Sequence, residues 1–281
     1  MRIMLLAGLA LTVLLITLAP SEGQDKKATP VPAQPAVKPI KALLVIGGCC
    51  HDYGKQKDII AKGISARANV EFTIAYEKDT GTKKVNPVYN NPNWAAGFDV
   101  IVHDECCADV KDLKMIERIL EPHRQGLPGL VLHCAMHSYR TDGWNTKGAK
   151  PTPWFEFTGL VTTGHGAQQP IDVTYVDANN PITMGLENWK TKNEELYNNF
   201  SGKLLDTAKP LTRGKQGKSE TIITWTNIYN GKAKVFGTTL GHNNETINDD
   251  RCMTLMTRGL LWATGHLTDD GKPAPGYGPV K

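Results

Sequence analysis

The chain has 281 residues, 40% of them apolar and 21% charged, which is enough apolar material for a sizeable core. Of its formal net charge of +4, the segment before Ala42 holds +3, because Arg2 cancels Glu22 while Asp25, Lys26, Lys27, Lys38 and Lys41 sum to that value. The body from Ala42 onward is left near neutral, and that excludes the basic surface a nucleic-acid partner needs.

The chain opens with one early cation, Arg2, an apolar run from Leu5 to Leu18, and then Ala19-Pro20-Ser21-Glu22-Gly23. Residues 1–23 resemble a secretory signal peptide, so the protein is expected in the periplasm or secreted, with no stable membrane span after cleavage. An uncleaved anchor is the alternative, with a run near the lower limit of a spanning helix. No cysteine follows the run, so nothing points to a lipoprotein anchor. Cleavage is expected near Gln24, and the intact mass of exported protein checks it: a mass that still includes Met1 to Gly23 argues for an anchor. Residues 24–39 are rich in Lys, Ala and Pro without apolar periodicity and read as a linker.

A single domain is expected over residues 40–267. Lys41 to Ile46 reads as a first strand, followed by Gly47-Gly48 and an amphipathic helix around Lys55 to Ala68. Val70 to Tyr76 and Phe98 to Val102 are the second and third strands. Asp109 is placed to cap a helix that turns Val110, Leu113, Ile116 and Leu120 inward until Gly126 ends it. Gly129 to Leu132 is a short apolar run of the kind buried parallel strands show. The alternation predicts βαβ units in a mostly parallel sheet. Ile171 to Val176 reads as a strand; Thr221 to Trp225 and Lys234 to Thr239 flank Asn230-Gly231 and predict an antiparallel hairpin at one edge of the parallel sheet. A final helix over Asp250 to Ala263 stops at Gly265, and residues 268–281, rich in Gly and Pro, read as a loose tail.

Two of the six cysteines form the doublet Cys49-Cys50 and two more form Cys106-Cys107, each after an apolar segment. If those segments are neighbouring parallel strands, a cross-link between the doublets is geometrically reasonable. A soft-metal site is the alternative, though no C-x-x-C spacing is present. Cys134 follows a strand but lacks the Gly-x-Cys-x-Gly frame of a nucleophile elbow, so a buried thiol is the plainer reading.

Polar residues cluster where strands end, which is where open α/β sheets bind ligands. These are His51 and Asp52 after the first strand, Asp104 and Glu105 after the third, His133, Cys134 and His137 after the fourth, and His242 after the last. Ordered blocks then carry a family resemblance: Leu132-His133-Cys134-Ala135-Met136-His137-Ser138-Tyr139-Arg140, Trp154-Phe155-Glu156-Phe157-Thr158-Gly159 with Gly164-His165-Gly166, and Asn180-Pro181-Ile182-Thr183-Met184-Gly185-Leu186. Asn193-Glu194-Glu195-Leu196-Tyr197, Thr238-Thr239-Leu240-Gly241-His242 and Arg258-Gly259-Leu260-Leu261-Trp262-Ala263 complete them. Together they resemble the ThuA-like, or trehalose-utilisation, family, whose members look like class I glutamine amidotransferases without the catalytic Cys-His-Glu set. The paired cysteines of the first loop depart from that pattern.

The resemblance implies an α/β, flavodoxin-like, class I glutamine amidotransferase-like fold, with helices flanking a mostly parallel sheet and an antiparallel edge hairpin. In a flavodoxin-like strand order the first and third strands are neighbours, so Cys49 or Cys50 is expected to pair with Cys106 or Cys107. It also implies sugar metabolism, including the processing of oxidised, keto-type glycosides. Within the matching blocks His137, His242 and Glu195 are the candidate catalytic groups, and His137, His165 and His242 the candidate ligands for a divalent metal such as zinc. Without metal the same imidazoles suit acid–base work. His51, Asp52, Tyr139, Arg140, Trp144, Trp154 and Tyr197 are candidate substrate contacts. The expected function is an exported carbohydrate-processing protein, a hydrolase, lyase or isomerase taking a small-molecule carbohydrate. The rivals are a non-catalytic sugar-binding protein on the same scaffold and a disulfide-stabilised interaction module.

Overall fold

In the computed structural model, residues 37–143 and 150–280 are described. The signal-like segment, most of the linker and Trp144 lie outside them. Strand β1 (Ile40–Gly48) sends Ala42, Leu44 and Ile46 to one hydrophobic core and Leu43 and Val45 to another. A strand with two apolar faces must be covered on both sides, and here it is. Helices α1 (Tyr53–Ser65) and α5 (Asp250–Ala263) pack in the first core; α2 (Leu113–Arg124) and the short α3 (Pro153–Thr158) pack in the second.

The remaining strands are β2 (Val70–Glu77), β3 (Val100–Cys106), β4 (Gly129–Leu132), β5 (Leu160–Gln169), β6 (Asp172–Tyr175), β7 (Trp189–Lys190), β8 (Glu194–Leu204), β9 (Ala208–Gln216), β10 (Ser219–Tyr229) and β11 (Ala233–Thr238). Nine strands form one sheet in the order β2-β1-β3-β4-β11-β10-β9-β6-β7. The block β2-β1-β3-β4-β11 is parallel, with β1 and β3 adjacent as expected. At its edge β10 and β11 form the predicted antiparallel hairpin, turned by Asn230 and Gly231 at φ +50° and +65°. The sheet continues antiparallel through β9, β6 and β7.

Three local readings change. Asp112, not Asp109, caps α2, accepting from the Lys114 and Met115 amides at 3.0 and 3.3 Å; Asp109 instead accepts from the Thr82 hydroxyl. The segment read as a loose tail is docked: the Tyr277 ring stacks on His266 at 3.6 Å, and its carbonyl accepts from the Asn69 amide. A two-stranded antiparallel ribbon of β5 and β8, apart from the main sheet, was not foreseen.

The second core holds a buried polar chain. His123 Nδ1–H donates to the Leu127 carbonyl at 2.7 Å, so its Nε2 accepts from His103 Nε2–H at 3.1 Å. Burial, and then the neighbouring His103, lower His123 to about 3, keeping it neutral. His103 Nδ1 lies 3.0 Å from Glu105 Oε1, and the same oxygen accepts from the Tyr89 and Tyr139 hydroxyls at 2.7 and 3.1 Å. All five side chains are buried.

Candidate functional site

The fourth strand ends abruptly. His133, the next residue, has φ +40°, a left-handed backbone that costs a non-glycine residue about 1–3 kcal/mol and persists only where surrounding structure enforces it. Gly241 makes the room: a Cβ there, at φ +136°, would stand 3.1 Å from the Cβ of His133. His133 Nδ1–H donates to the Thr239 carbonyl at 2.6 Å, which fixes the tautomer and leaves Nε2 bare. That Nε2 is buried without a hydrogen-bond partner among the described residues and faces Glu195 Oε2 at 3.6 Å. Two lone-pair atoms face each other there, an arrangement that calls for a cation or a proton between them.

His51 and His242 close the cluster. One nitrogen from each of His51, His133 and His242 lies within 4.8 Å of the others. His51 Nδ1 lies 3.3 Å from the His242 carbonyl, and since a carbonyl only accepts, Nδ1 donates and Nε2 carries the lone pair. Burial, then the charges of His133 and His242, lower His51 to about 3, so it is a neutral donor. The 241–242 backbone is clamped from two sides. Gln56 of α1 donates to the Gly241 carbonyl at 3.2 Å, and Glu194 accepts from the His242 amide at 3.2 Å. Neither residue had been singled out, although the adjacent acids Glu194-Glu195 were a visible signal.

Glu195 is the hub. Its carboxylate lies 3.2 Å from His242 Nδ1, 3.5 Å from His165 Nδ1 and 3.6 Å from His133. The His242 contact falls outside ideal hydrogen-bond geometry but remains a close ion-pair contact. Burial acts to raise Glu195, but His133 and His242 hold it well below the carboxylate range. In turn Glu195, against burial, raises His242 above 6.5. The β5–β8 ribbon delivers these groups, with His165 paired opposite Tyr197 and Gln168 opposite Glu195.

The remaining expected residues divide sharply. His137 and His165 do not join the ligand cluster: His137 is buried, stacked on Tyr197 at 4.4 Å, and His165 sits half-exposed on the rim beside Glu195. His51 and His133 take their places in the triad. Burial, then Arg140 and the other imidazoles, lower His137 well below its ordinary value. Tyr197 is packed between His133 and His137, and burial raises its hydroxyl well above 10. Asp52 is exposed, ion-paired with Lys55 at 3.0 Å and accepting from Asn244 at 3.0 Å. Trp154 and Tyr139 are fully buried and bond to the Ala135 carbonyl and Glu105, so both are core residues rather than sugar contacts. Arg140 is partly buried, and burial lowers it. Asp104 is buried and raised well above the carboxylate range by desolvation, then by Glu105 and Cys106.

A crevice of about 410 Å³ opens over the cluster, lined by Cys50, His51, Asp52, His242, Asn243 and Asn244. Another, of about 400 Å³ between Arg124, Glu156 and Asn230, has no imidazole or thiol in its lining.

The cysteines pair differently from expectation. Cys49 bonds to its neighbour Cys50 rather than across the strands. Cys106 Sγ lies 3.4 Å from Cys49 Sγ and 2.6 Å from Cys134 Sγ. Successive strand residues face opposite ways, so Cys107 points into the second core, where its thiol donates to the Lys84 carbonyl. The hydrogen bond from Cys134 lowers Cys106, against burial, with Arg140 acting in the same direction.

The family model described as ThuA, trehalose utilisation, matches residues 42–263. Among solved structures, a ThuA-like protein from Parabacteroides merdae superposes with a TM-score of 0.61 at 18% identity, covering 87% of this chain and 98% of that one. A ThuA-like protein from Bacteroides uniformis gives 0.60 at 14% identity, covering 86% and 98%. A β-galactosidase from Rahnella sp. R3 gives 0.51 at 12% identity, covering 80% of this chain and 31% of the enzyme. At these identities the likeness is one of fold. No curated protein matches the chain in sequence. Among the described residues, no helix is long and apolar enough to cross a membrane.

Proposed function

The chain belongs to the ThuA, trehalose utilisation, family, and from that premise we propose that it is an exported carbohydrate-processing enzyme acting on a glycoside or keto-sugar at the His51–His133–His242 cluster, with Glu195 as the base. The observation that carries this reading is the convergence of three imidazole nitrogens within 4.8 Å beside a buried, unpartnered His133 Nε2. Carbonyl acceptors hold two of the rings in the tautomer a metal requires. Three imidazole nitrogens converging within 4.8 Å form a donor set that suits a borderline ion such as zinc, which His51, His133 and His242 would hold. An ion held there would supply either a water of lowered pKa or polarisation of a sugar carbonyl.

The protein's own groups do the rest. Glu195, held ionised, takes a proton from water or a sugar hydroxyl and is oriented by His165 and His242. Tyr197, fully buried between His133 and His137, holds those rings in place and does not reach the crevice as a substrate contact. Asp52, Asn243 and Asn244 at the mouth offer hydrogen bonds to sugar hydroxyls, in a crevice of ordinary small-molecule size.

Mature protein loaded with zinc and dialysed is expected to retain one equivalent, and His51→Ala, His133→Ala and His242→Ala each to lose it. A screen of glycosides and keto-sugars is expected to reveal turnover that a chelator abolishes and zinc restores. Wild-type protein that retains no metal sinks the metal reading. Sugar binding without turnover sinks the enzymatic one.

A further inference from the structure

Four sulfurs run in contact from the crevice mouth into the core. Cys50 is exposed in the crevice and bonded to Cys49; Cys49 Sγ touches Cys106 Sγ at 3.4 Å, and Cys106 Sγ touches Cys134 Sγ at 2.6 Å. Strand register produces the line. Gly48 of β1 pairs with Cys106 of β3, and a Cβ at Gly48 would stand 2.5 Å from the Cys106 carbonyl oxygen, so the backbones approach closely enough to set Cys49 over Cys106. Cys134, two residues past β4, reaches the same point from the other side of β3.

We propose that these four cysteines form a thiol–disulfide exchange relay, which passes a disulfide between the exposed Cys49–Cys50 pair and the buried Cys106–Cys134 pair. In the first step the Cys106 thiolate attacks Cys49 Sγ. A Cys49–Cys106 bond forms, the Cys49–Cys50 bond breaks, and the electron pair leaves on Cys50 Sγ, which takes up a proton. In the second step Cys134 attacks Cys106 Sγ as its proton passes to the departing Cys49 sulfur, closing Cys106–Cys134 and releasing Cys49 as a thiol. Two electrons and two protons move from the buried pair to the vicinal pair, so the exchange balances without an outside oxidant. The exposed vicinal pair then trades with an external thiol or disulfide. A thiolate metal site fits the distances poorly: sulfurs about 2.3 Å from one zinc lie about 3.7 Å apart, well beyond the Cys106–Cys134 separation.

The relay is tested by poising the full mature chain with reduced and oxidised dithiothreitol, trapping with acid and alkylation, and mapping disulfides by mass spectrometry. Molecules with one disulfide are expected to divide between Cys49–Cys50 and Cys106–Cys134, and Cys106→Ser is expected to abolish the second form. Cys50→Ser, an exposed change that spares the core, is expected to form Cys49–Cys106 or Cys106–Cys134 on oxidation. Finding Cys49–Cys50 alone at every poise, or Cys106 and Cys134 both alkylated in oxidised Cys50→Ser, overturns the proposal.

Discussion

Glu195→Gln lowers turnover of a substrate found in the screen by about 10²–10⁴-fold, the usual yield of a general base. The amide keeps the shape and volume of the side chain but cannot take a proton. Glu195 is buried and its charge is held by His133 and His242, so the urea midpoint is expected to fall as well, and turnover is read under conditions where the variant is fully folded. Zinc retention is the discriminating measurement, because Glu195 lies only 3.6 Å from His133 Nε2. Retention equal to wild type with lost turnover supports the base. A fall in retention matching the triad variants makes Glu195 a ligand and removes its role as base.

Glu105→Ala is expected to cost about 3–5 kcal/mol of stability, the loss seen when one partner of a buried pair is removed. Glu105 Oε1 accepts from Tyr89 and Tyr139 and lies 3.0 Å from Nδ1 of His103, whose other nitrogen is committed to His123. Removing the carboxylate leaves the buried Tyr139 hydroxyl without this acceptor, and Tyr89 and His103 Nδ1 with only each other at 3.3 Å. Urea unfolding read by fluorescence measures this, and a midpoint within error of wild type rejects the network as structural. Glu105→Gln, which keeps an acceptor oxygen, is expected to lose less.

Much of the scaffold was legible because its signals are local. The run Gly129 to Leu132 and the helix Asp250 to Ala263 have the bounds their apolar patterns predict. Asn230-Gly231 announces its own turn. The site was legible in location but not in membership. His133 and His137 lie four residues apart in one short turn, and only the left-handed backbone at His133 decides which of them reaches the cluster. Nothing in the pattern announces that dihedral. The ribbon carrying His165, Glu195 and Tyr197 was missed because its register shifts at several points, which breaks the alternation that identifies a strand. Trp154 and Tyr139 look the same in sequence whether they face a sugar or a core.

The place of β11 has a consequence for how the chain is made. Residues 233–238 come late in synthesis yet lie in the interior of the nine-stranded sheet, hydrogen-bonded to β4 on one side and β10 on the other. Until they emerge, β4 presents an unpaired apolar edge, the kind of surface on which nascent chains aggregate or recruit a holdase. The same delay applies to the imidazole cluster: His242 comes four residues after β11, so its third ring joins His51 and His133 only as the sheet closes.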